Sequence, residues 1–204
     1  MLPVASVPRQ GGAVNRKEKA AETEAALKDA AKRLFATRGY LSTKITDITK
    51  EAGRAAGSFY NHFDGKEELL RALLADIDTA GDERAASEEH NPDFSDPAAV
   101  RFHVRAYWKV YREHEATMRA LRQAALVNED FARALDAYSA RQAAEIVNHL
   151  DHVATLPARP EISMAMMWTL IDGYAQARHD DLSDEEIIEA LTRFVYRGLN
   201  GSDY

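Results

Sequence analysis

The spacing of the apolar residues restricts this 204-residue chain to helices. From about Glu22 to Leu199, apolar side chains recur three or four positions apart, which places them on one face of a helix. The sequence has no run of alternating β-branched residues between turn signals, which is the pattern of a half-buried strand. We therefore predict an all-α fold of about nine helices, with an N-terminal three-helix domain followed by a C-terminal helical bundle.

Prolines, glycines and capping residues divide the helical pattern into segments. Residues 1–20 contain prolines and glycines with little apolar content, and we expect a flexible basic tail there. Residues 21–66 are predicted to form the three-helix domain, whose first helix ends at Gly39 and whose second is capped by Ser42 or Thr43. Residues 67–204 hold the bundle. Within it, Asp96-Pro97 predicts a helix start, a shorter separate segment is expected around Met118, and residues 128–153 are predicted to form one long helix. Ser183 or Asp184 is expected to cap the last helix.

Charge is distributed unevenly along the chain. Up to Lys66 there are 12 basic and 7 acidic residues, a net charge of +5. The remainder has 14 basic and 26 acidic residues, a net charge of −12. A basic head on an acidic body predicts that a polyanion binds the head and is repelled by the body.

Composition excludes several classes of protein. The chain has no cysteine, so disulfides, thiolate catalysis and cysteine zinc sites are excluded. It has neither an export signal nor an apolar run of about eighteen residues, and we expect a soluble, cytoplasmic protein without membrane contact. No nucleophile–base pair, glycine-rich phosphate loop or pair of catalytic carboxylates is evident, so we do not predict an enzyme. Two functions stay open as alternatives. One is an all-α enzyme with a basic docking head, and the other, if the head binds DNA without control by a small molecule, is an architectural DNA binder without an effector.

The segment from Ala56 to Phe63, AGSFYNHF, has two chemically different faces. On a helix of about 100° per residue, Ala56, Phe59 and Phe63 fall on one side and the polar residues on the other. The two phenylalanines therefore anchor a short helix whose polar face is exposed. Preceded by another short helix and a turn, this is the pattern of a helix-turn-helix, whose second helix lies in the major groove of DNA.

The polar residues of this segment suit different parts of a DNA duplex. Gly57 lets the backbone approach closely, Asn61 can form two hydrogen bonds with an adenine edge, and Ser58 reads bases less selectively. Basic, hydroxyl and imidazole side chains nearby suit phosphate oxygens, as do the free amides at the start of the helix at Lys66. The expected phosphate contacts are Lys44, Thr46, Tyr60, His62 and Lys66.

Several motifs between Leu27 and Leu70 occur together in one known family. They are Ala30-Ala31-x-x-Leu34-Phe35, Gly39-Tyr40, Thr43 ahead of Ile45-x-x-Ile48, Ala52-Gly53, Gly57-Ser58-Phe59-Tyr60-x-His62-Phe63 and Lys66-Glu67-x-Leu69. Together they resemble the DNA-binding domain of the TetR family of ligand-responsive transcriptional repressors. The resemblance implies that Thr46, Ser58, Tyr60, Asn61, His62 and Lys66 contact DNA, and that the helix from Lys66 links the head to the body.

The turn before the recognition helix departs from the family pattern. Arg54 and Ala55 stand where the family usually has a small aliphatic residue and then a serine cap. The helix therefore lacks a side-chain cap, a loss of about 0.5 to 2 kcal/mol. Arg54 is a candidate phosphate contact, which would compensate for the missing cap.

The last two helices predict a dimer. Apolar residues occupy nearly every side of the segment from Glu161 to Ala177, and the last helix has more of them than one core stripe needs. Pairing both helices with their copies gives a four-helix interface, as the resemblance also implies. A two-fold dimer presents two recognition helices to successive major grooves, which predicts a palindromic operator. The predicted interface is Met164, Ile171, Ile187, Leu191, Phe194 and Val195.

The resemblance further implies an effector pocket in the bundle. Aromatic and methionine side chains there suit a largely apolar small molecule, although core packing would explain them as well. The candidate pocket residues are Phe102, Tyr107, Trp108, Tyr111, Met118, Phe131, Tyr138, Met167 and Trp168. We therefore expect a homodimeric repressor that binds double-stranded operator DNA until an apolar effector enters the bundle.

No cofactor or metal is predicted from the sequence. Glu145, His149 and His152 follow an i, i+4, i+7 spacing that would place them on one helical face, as in some metal sites. We interpret this spacing as a surface coincidence.

Overall fold

The computed structural model describes residues 11–85, 90–177 and 181–201, with the side chains of residues 16–79, 90–177 and 181–201. Within these ranges the chain forms eight α-helices and one 3₁₀ helix and no strand, which confirms the predicted all-α fold. The helices are α1 (Gly11–Arg38), α2 (Ile45–Glu51), α3 (Ala56–Phe59), α4 (Lys66–Ala85), α5 (Pro97–Val127), α6 (Glu129–Glu145), the 3₁₀ helix (Val147–Leu150), α7 (Pro160–Ala175) and α8 (Asp184–Asn200).

The chain divides into two compact units between Leu73 and Leu74, which lie within α4. This division falls slightly later than the predicted boundary after Lys66. The first unit buries one apolar core. Its buried residues are Leu27, Ala30, Ala31, Leu34, Phe35, Tyr40, Ile48, Phe59, Phe63, Leu69, Leu70 and Leu73.

Glycines and a carboxylate set the helix boundaries of the first unit. Gly39 has a φ of 76° and donates its N–H to the Phe35 carbonyl at 3.1 Å, which ends α1 as predicted. The prediction for the start of α2 is wrong. Thr43 is buried and donates its hydroxyl to the Gly39 carbonyl, and the Asp47 carboxylate instead accepts from the backbone N–H of Lys44 at 3.0 Å.

Two segments of the first unit differ from their predicted extent. The helix α1 already begins at Gly11, so residues 11–20 are helical and not a tail, while residues 1–10 lie outside the described ranges. The recognition helix α3 ends at Phe59 and not at Phe63. The helical turn nevertheless continues, because the backbone N–H groups of His62 and Phe63 both donate to the Phe59 carbonyl.

The second unit begins its helices where capping residues were predicted. Asp96 accepts from the backbone N–H of Ala98 at 2.8 Å, with Pro97 at the first helical position of α5. Ser183 caps α8 and accepts from the N–H of Glu186. Phe94 and the inner faces of α5, α7 and α8 form the main part of its core, around the buried Trp108.

Two predicted helices of the second unit are differently divided. The helix α5 continues through the segment around Met118 that was predicted to be separate, with a non-helical φ of −119° at His114. The predicted helix over residues 128–153 stops at Glu145 and is followed by the 3₁₀ helix. Across the ranges that the structure describes, no helix combines the length and apolar character needed to span a bilayer.

Candidate nucleic-acid interface

The helix α3 has one buried face and one exposed face, as predicted, although Ala56, which was predicted on the buried side, is exposed. Phe59 is 0% exposed and Phe63 is 4% exposed, and their rings pack with centroids 5.5 Å apart. On the other side Tyr60 is 61% exposed, and Gly57 and Asn61 are also exposed. A polar surface therefore projects from a helix that aromatic packing holds in place.

Within this surface, Gly57 and Ser58 differ in how accessible they are to a bound molecule. A Cβ atom built on Gly57 would have no other atom within 4 Å, so the glycine leaves open space above the helix. Ser58 is half-buried and donates its hydroxyl to the Ala55 carbonyl at 2.6 Å. Because the proton is used internally, the Ser58 oxygen can act toward a ligand only as an acceptor.

The two predicted contacts at the start of α2 are accessible. Lys44 and Thr46 are both exposed. Their role at phosphate oxygens stays a prediction.

Arg54 and His62 are less free than predicted, because both face acidic residues of α1. Arg54 donates an N–H to the Glu22 carboxylate at 2.9 Å. The side chain of His62 is only 12% exposed, and its Nδ1 lies 4.0 Å from the Glu24 carboxylate. A phosphate would have to compete with these carboxylates for either side chain.

The prediction for Lys66 needs correction, because its ammonium group serves the fold. It donates to the carbonyl oxygens of Tyr40 at 2.9 Å and Thr43 at 2.8 Å. It also lies 4.0 Å from the centre of the Tyr40 ring, at cation–π distance. Burial lowers the pKa of Lys66, partly offset by the neighbouring Glu67. Lys66 therefore holds the α1–α2 connection and does not project as a free cation.

The first turn of α4 carries two carboxylates where a phosphate site was predicted. Glu68 accepts from the backbone N–H of Asp64, and Glu67 accepts from the Tyr40 hydroxyl at 2.7 Å. Burial acts to raise the pKa of Glu67, but the Tyr40 hydrogen bond and the nearby positive charges of Lys66 and Arg71 lower it overall. These two carboxylates place negative charge at the helix start, which disfavours a phosphate there.

Most residues of the predicted dimer interface are buried within the second unit itself. Five of the six lie in the core of the second unit and are at most 4% exposed: Met164, Ile171, Ile187, Leu191 and Val195. Only Phe194 is exposed, at 65%. Apolar periodicity had identified these side chains as buried, but the bundle itself buries them.

An apolar face on α7 and α8 contains the predicted Phe194 and Val195 together with side chains that were not predicted. Ile162 is 42% exposed and Met166 is 56% exposed, and both line a cavity of about 650 Å³ together with Phe194. We call this surface the α7–α8 face; its other lining residues are Pro157, Glu161, Ser163, Ala165, Met167, Thr169, Leu170, Val195, Gly198 and Leu199.

The predicted pocket residues lie in several different environments. Met167 is the only one of the nine that lines the α7–α8 cavity. Trp108, Tyr111, Phe131 and Met167 are buried, and Tyr107, Met118 and Trp168 pack partly buried against the core. Tyr138 instead donates its hydroxyl to Asp78 of α4, and Phe102 stacks edge-on with His90 and His103.

A partly exposed polar group of the bundle joins two of these tyrosines and was not predicted. The Tyr107 hydroxyl donates to Asp172 at 2.6 Å, and Arg122 donates to the Tyr111 hydroxyl at 2.8 Å. Arg122 also lies 3.6 Å from Asp172. Burial and the Asp172 carboxylate raise the pKa of Tyr107. These residues come from α5 and α7, so sequence spacing could not have paired them.

The first unit resembles known proteins in sequence. The family model described as bacterial regulatory proteins, tetR family, matches residues 27–73. Over 85 residues the chain is 41% identical to the probable transcriptional regulator ArpR of Pseudomonas putida, a match that covers 42% of this chain and 40% of that protein. The chain thus spans about two fifths of this relative's length. The transcriptional regulator EthR of Mycolicibacterium smegmatis is 22% identical over 89% of this chain and 88% of its own.

Solved structures support the same architecture over most of the chain. The fatty acid degradation regulator FadR of Bacillus halodurans superposes with a TM-score of 0.70 at 17% identity, over 87% of this chain and 96% of that one. At this identity the likeness concerns the fold alone. These three proteins are regulators of transcription or metabolism, which gives no support to the alternative of an all-α enzyme.

Proposed function

We propose, from the match of residues 27–73 to the TetR family of bacterial regulatory proteins, that the chain is a cytoplasmic, ligand-responsive transcriptional repressor of that family. It binds palindromic operator DNA as a homodimer through α3, and an apolar small molecule that enters the C-terminal bundle releases it. The observation that carries this proposal is the two-faced helix α3, with Phe59 buried and Tyr60 61% exposed.

Charge supports the assignment of the first unit as the DNA-binding head. The chain up to Lys66 has a net charge of +5 and the remainder −12. Several of the head's basic groups, including Arg33 and Arg54, pair with carboxylates of the same unit, so the cations left for phosphates are few. We therefore expect a modest salt dependence, with a slope of log K against log salt that corresponds to a small number of phosphate contacts per head.

The α7–α8 face supports the dimer. A contiguous apolar surface with Met166 and Phe194 more than half exposed is uncommon in a monomer and marks an interaction site. We assign this face to a second copy of the chain, in place of the buried residues that the sequence predicted. Two copies related by a two-fold axis would each offer the same surface, which is the requirement of an isologous interface.

The effector assignment draws on partly buried residues of α5 and α7. Tyr107 and Trp168 lie with ring centroids 5.4 Å apart, beside the polar group formed by Asp172 and Arg122. An apolar molecule with one polar end would find both kinds of contact there.

Selection of genomic DNA fragments by the purified chain tests the operator assignment. We expect enrichment of a rough palindrome whose half-sites lie about one helical turn, or a multiple of it, apart. Recovery of fragments without a common sequence would reject operator recognition. Mass spectrometry of small molecules that copurify, followed by displacement of the operator with each of them, tests the effector.

A further inference from the structure

Three histidines that are far apart in the sequence meet in the second unit. His90 precedes α5 by a short loop, His103 lies in α5, and His149 lies in the 3₁₀ helix. One ligand nitrogen of each lies within 4.8 Å of those of the other two. We propose that His90, His103 and His149 bind a divalent transition-metal ion of the zinc class.

The positions of the three rings match tetrahedral coordination by imidazole. The ring centroids are 5.2 Å apart for His90 and His103, 5.1 Å for His90 and His149, and 5.0 Å for His103 and His149. A Zn–N bond of about 2.0 Å plus roughly 1.1 Å from nitrogen to ring centre places tetrahedral ligand centroids about 5.1 Å apart. The ring centres therefore have the spacing of three ligands of one ion, and side-chain rotation has to bring ligand nitrogens that lie up to 4.8 Å apart closer together.

One pair of nitrogens is at ligand spacing already. The Nε2 atoms of His90 and His149 lie 3.1 Å apart, against about 3.3 Å for two nitrogens of a tetrahedral zinc ion. In the metal-free chain one of these nitrogens must carry a proton that it shares with the other. A metal ion replaces this hydrogen bond when the donor ring moves its proton to its other nitrogen.

Hydrogen bonds to oxygen atoms outside the histidine cluster orient two of the rings. The Nδ1 of His103 lies 2.9 Å from the Ala99 carbonyl oxygen, and the Nδ1 of His149 lies 3.2 Å from the Asn148 amide oxygen. Each Nδ1 can only donate to such an oxygen, which leaves Nε2 with a lone pair. Hydrogen bonds of this kind are the usual support of a metal-binding histidine.

The loop that carries His90 is fastened to the rest of the site. The backbone N–H of Phe94 donates to the His149 carbonyl at 3.0 Å, and the Phe94 ring packs 4.8 Å from the ring of His103. Phe94 is fully buried. Phe94 thus gives the site one apolar side.

The donor set selects the class of ion. Imidazole nitrogens suit zinc, copper and nickel, whereas magnesium and calcium require oxygen ligands. Three histidines leave one tetrahedral position for water or an added ligand. Packing of three neutral rings without an ion is the competing explanation, and a binding measurement separates the two.

Isothermal titration of the untagged, chelator-treated full-length chain with Zn²⁺ tests the proposal. We expect one ion per chain with a dissociation constant of about 1 μM or lower. The same titration with Mg²⁺ should give no saturable binding, and Co²⁺ should give the visible absorption of a tetrahedral nitrogen site. The readout involves no DNA, so a failure of the proposed repressor function would leave it unaffected.

Two ligand variants and one matched control decide which residues bind. We expect His90→Ala and His103→Phe each to weaken Zn²⁺ binding by at least tenfold while the far-ultraviolet circular dichroism stays that of the original chain. His152→Ala removes an exposed histidine close to the site and should leave the affinity unchanged. Zinc binding weaker than about 100 μM, or binding that neither ligand variant reduces, would overturn the proposal.

Discussion

The ammonium nitrogen of Lys66 lies 4.0 Å from the centre of the Tyr40 ring and bonds the backbone carbonyl of the same residue. This places a cation of α4 beneath the connection between α1 and α2, where it also bonds the Thr43 carbonyl. The contact makes Lys66 part of the folded head and not of its DNA surface.

Replacement of Lys66 by Met should therefore destabilise the protein. The substitution removes two charge-assisted hydrogen bonds and leaves two carbonyl oxygens without this partner, a cost of about 1 to 3 kcal/mol after allowance for partial exposure. Urea unfolding measures the change. Lys50→Met, which removes an exposed charge from α2, should change the unfolding free energy by less than about 0.5 kcal/mol. Unchanged stability of Lys66→Met with weaker operator binding would restore the phosphate role.

Glu67 should make the stability of the head depend on pH. Its pKa is lowered in the folded state, so the ionised carboxylate favours folding. This stabilisation is complete above the ordinary glutamate pKa of about 4.3 and is lost as the pH falls through the lowered folded value. Glu67→Gln should flatten the fall in unfolding free energy below about pH 5, measured by urea unfolding across the acid range. An acid profile identical to that of the original chain would show that Glu67 carries none of this dependence.

A substitution at Gly57 should change the stability of the chain and its affinity for DNA in different directions. A Cβ atom at this position meets nothing within 4 Å in the free chain, so Gly57→Ala should keep or raise stability, by up to about 1 kcal/mol. The same methyl group would lie between the helix and the DNA, and operator affinity should fall about tenfold or more. Thermal unfolding and fluorescence anisotropy on one preparation compare the two effects. Undiminished affinity would place Gly57 away from the duplex.

Asn61 should determine sequence preference and not affinity in general. Loss of a pair of hydrogen bonds with a base corresponds to about 1 to 3 kcal/mol of discrimination. Asn61→Ala should therefore reduce the preference for the selected operator over unrelated DNA by roughly 5- to 150-fold, as measured by competition binding. Lys44→Ala is the comparison, because removing a cation that binds phosphate should weaken binding to both DNAs alike. An equal reduction on both DNAs for Asn61→Ala would assign Asn61 to the DNA backbone.

Phe194 should control self-association. Phe194→Glu places a charge on the α7–α8 face and should convert the dimer to a monomer at micromolar concentration, detected by sedimentation velocity. Leu126→Glu is the matched control, because Leu126 is exposed to 82% at the end of α5 and lies outside that face. A dimer that persists in Phe194→Glu would place the interface elsewhere.

The sequence predicted what depends on neighbours along the chain. The caps at Asp96 and Ser183 and the inward direction of Phe59 follow from local spacing, and the structure has them all. The resemblance carried by residues 27–70 is confirmed by the family match over residues 27–73.

What the sequence missed depends on residues that meet across the fold. Periodicity showed that α7 and α8 are rich in apolar side chains, but it could not tell which of them the bundle itself would bury, so Leu191 was assigned to the dimer and Met166 was not. The spacing of His149 with Glu145 and His152 was interpreted as a surface coincidence; α6 ends at Glu145, so the three do not share one helix, and His149 is in fact buried. The rings that do meet His149 belong to His90 and His103, far away in sequence.

The arrangement of α8 lets folding and assembly vary separately. Leu191 and Val195 face inward at 4% and 3% exposure, while Phe194 between them faces outward at 65%. A substitution at 194 can therefore strengthen, weaken or redirect pairing with another subunit without opening a void in the interior. Duplicated copies of such a gene could acquire partners of their own by changes at this outward position while their inner helix faces stay the same.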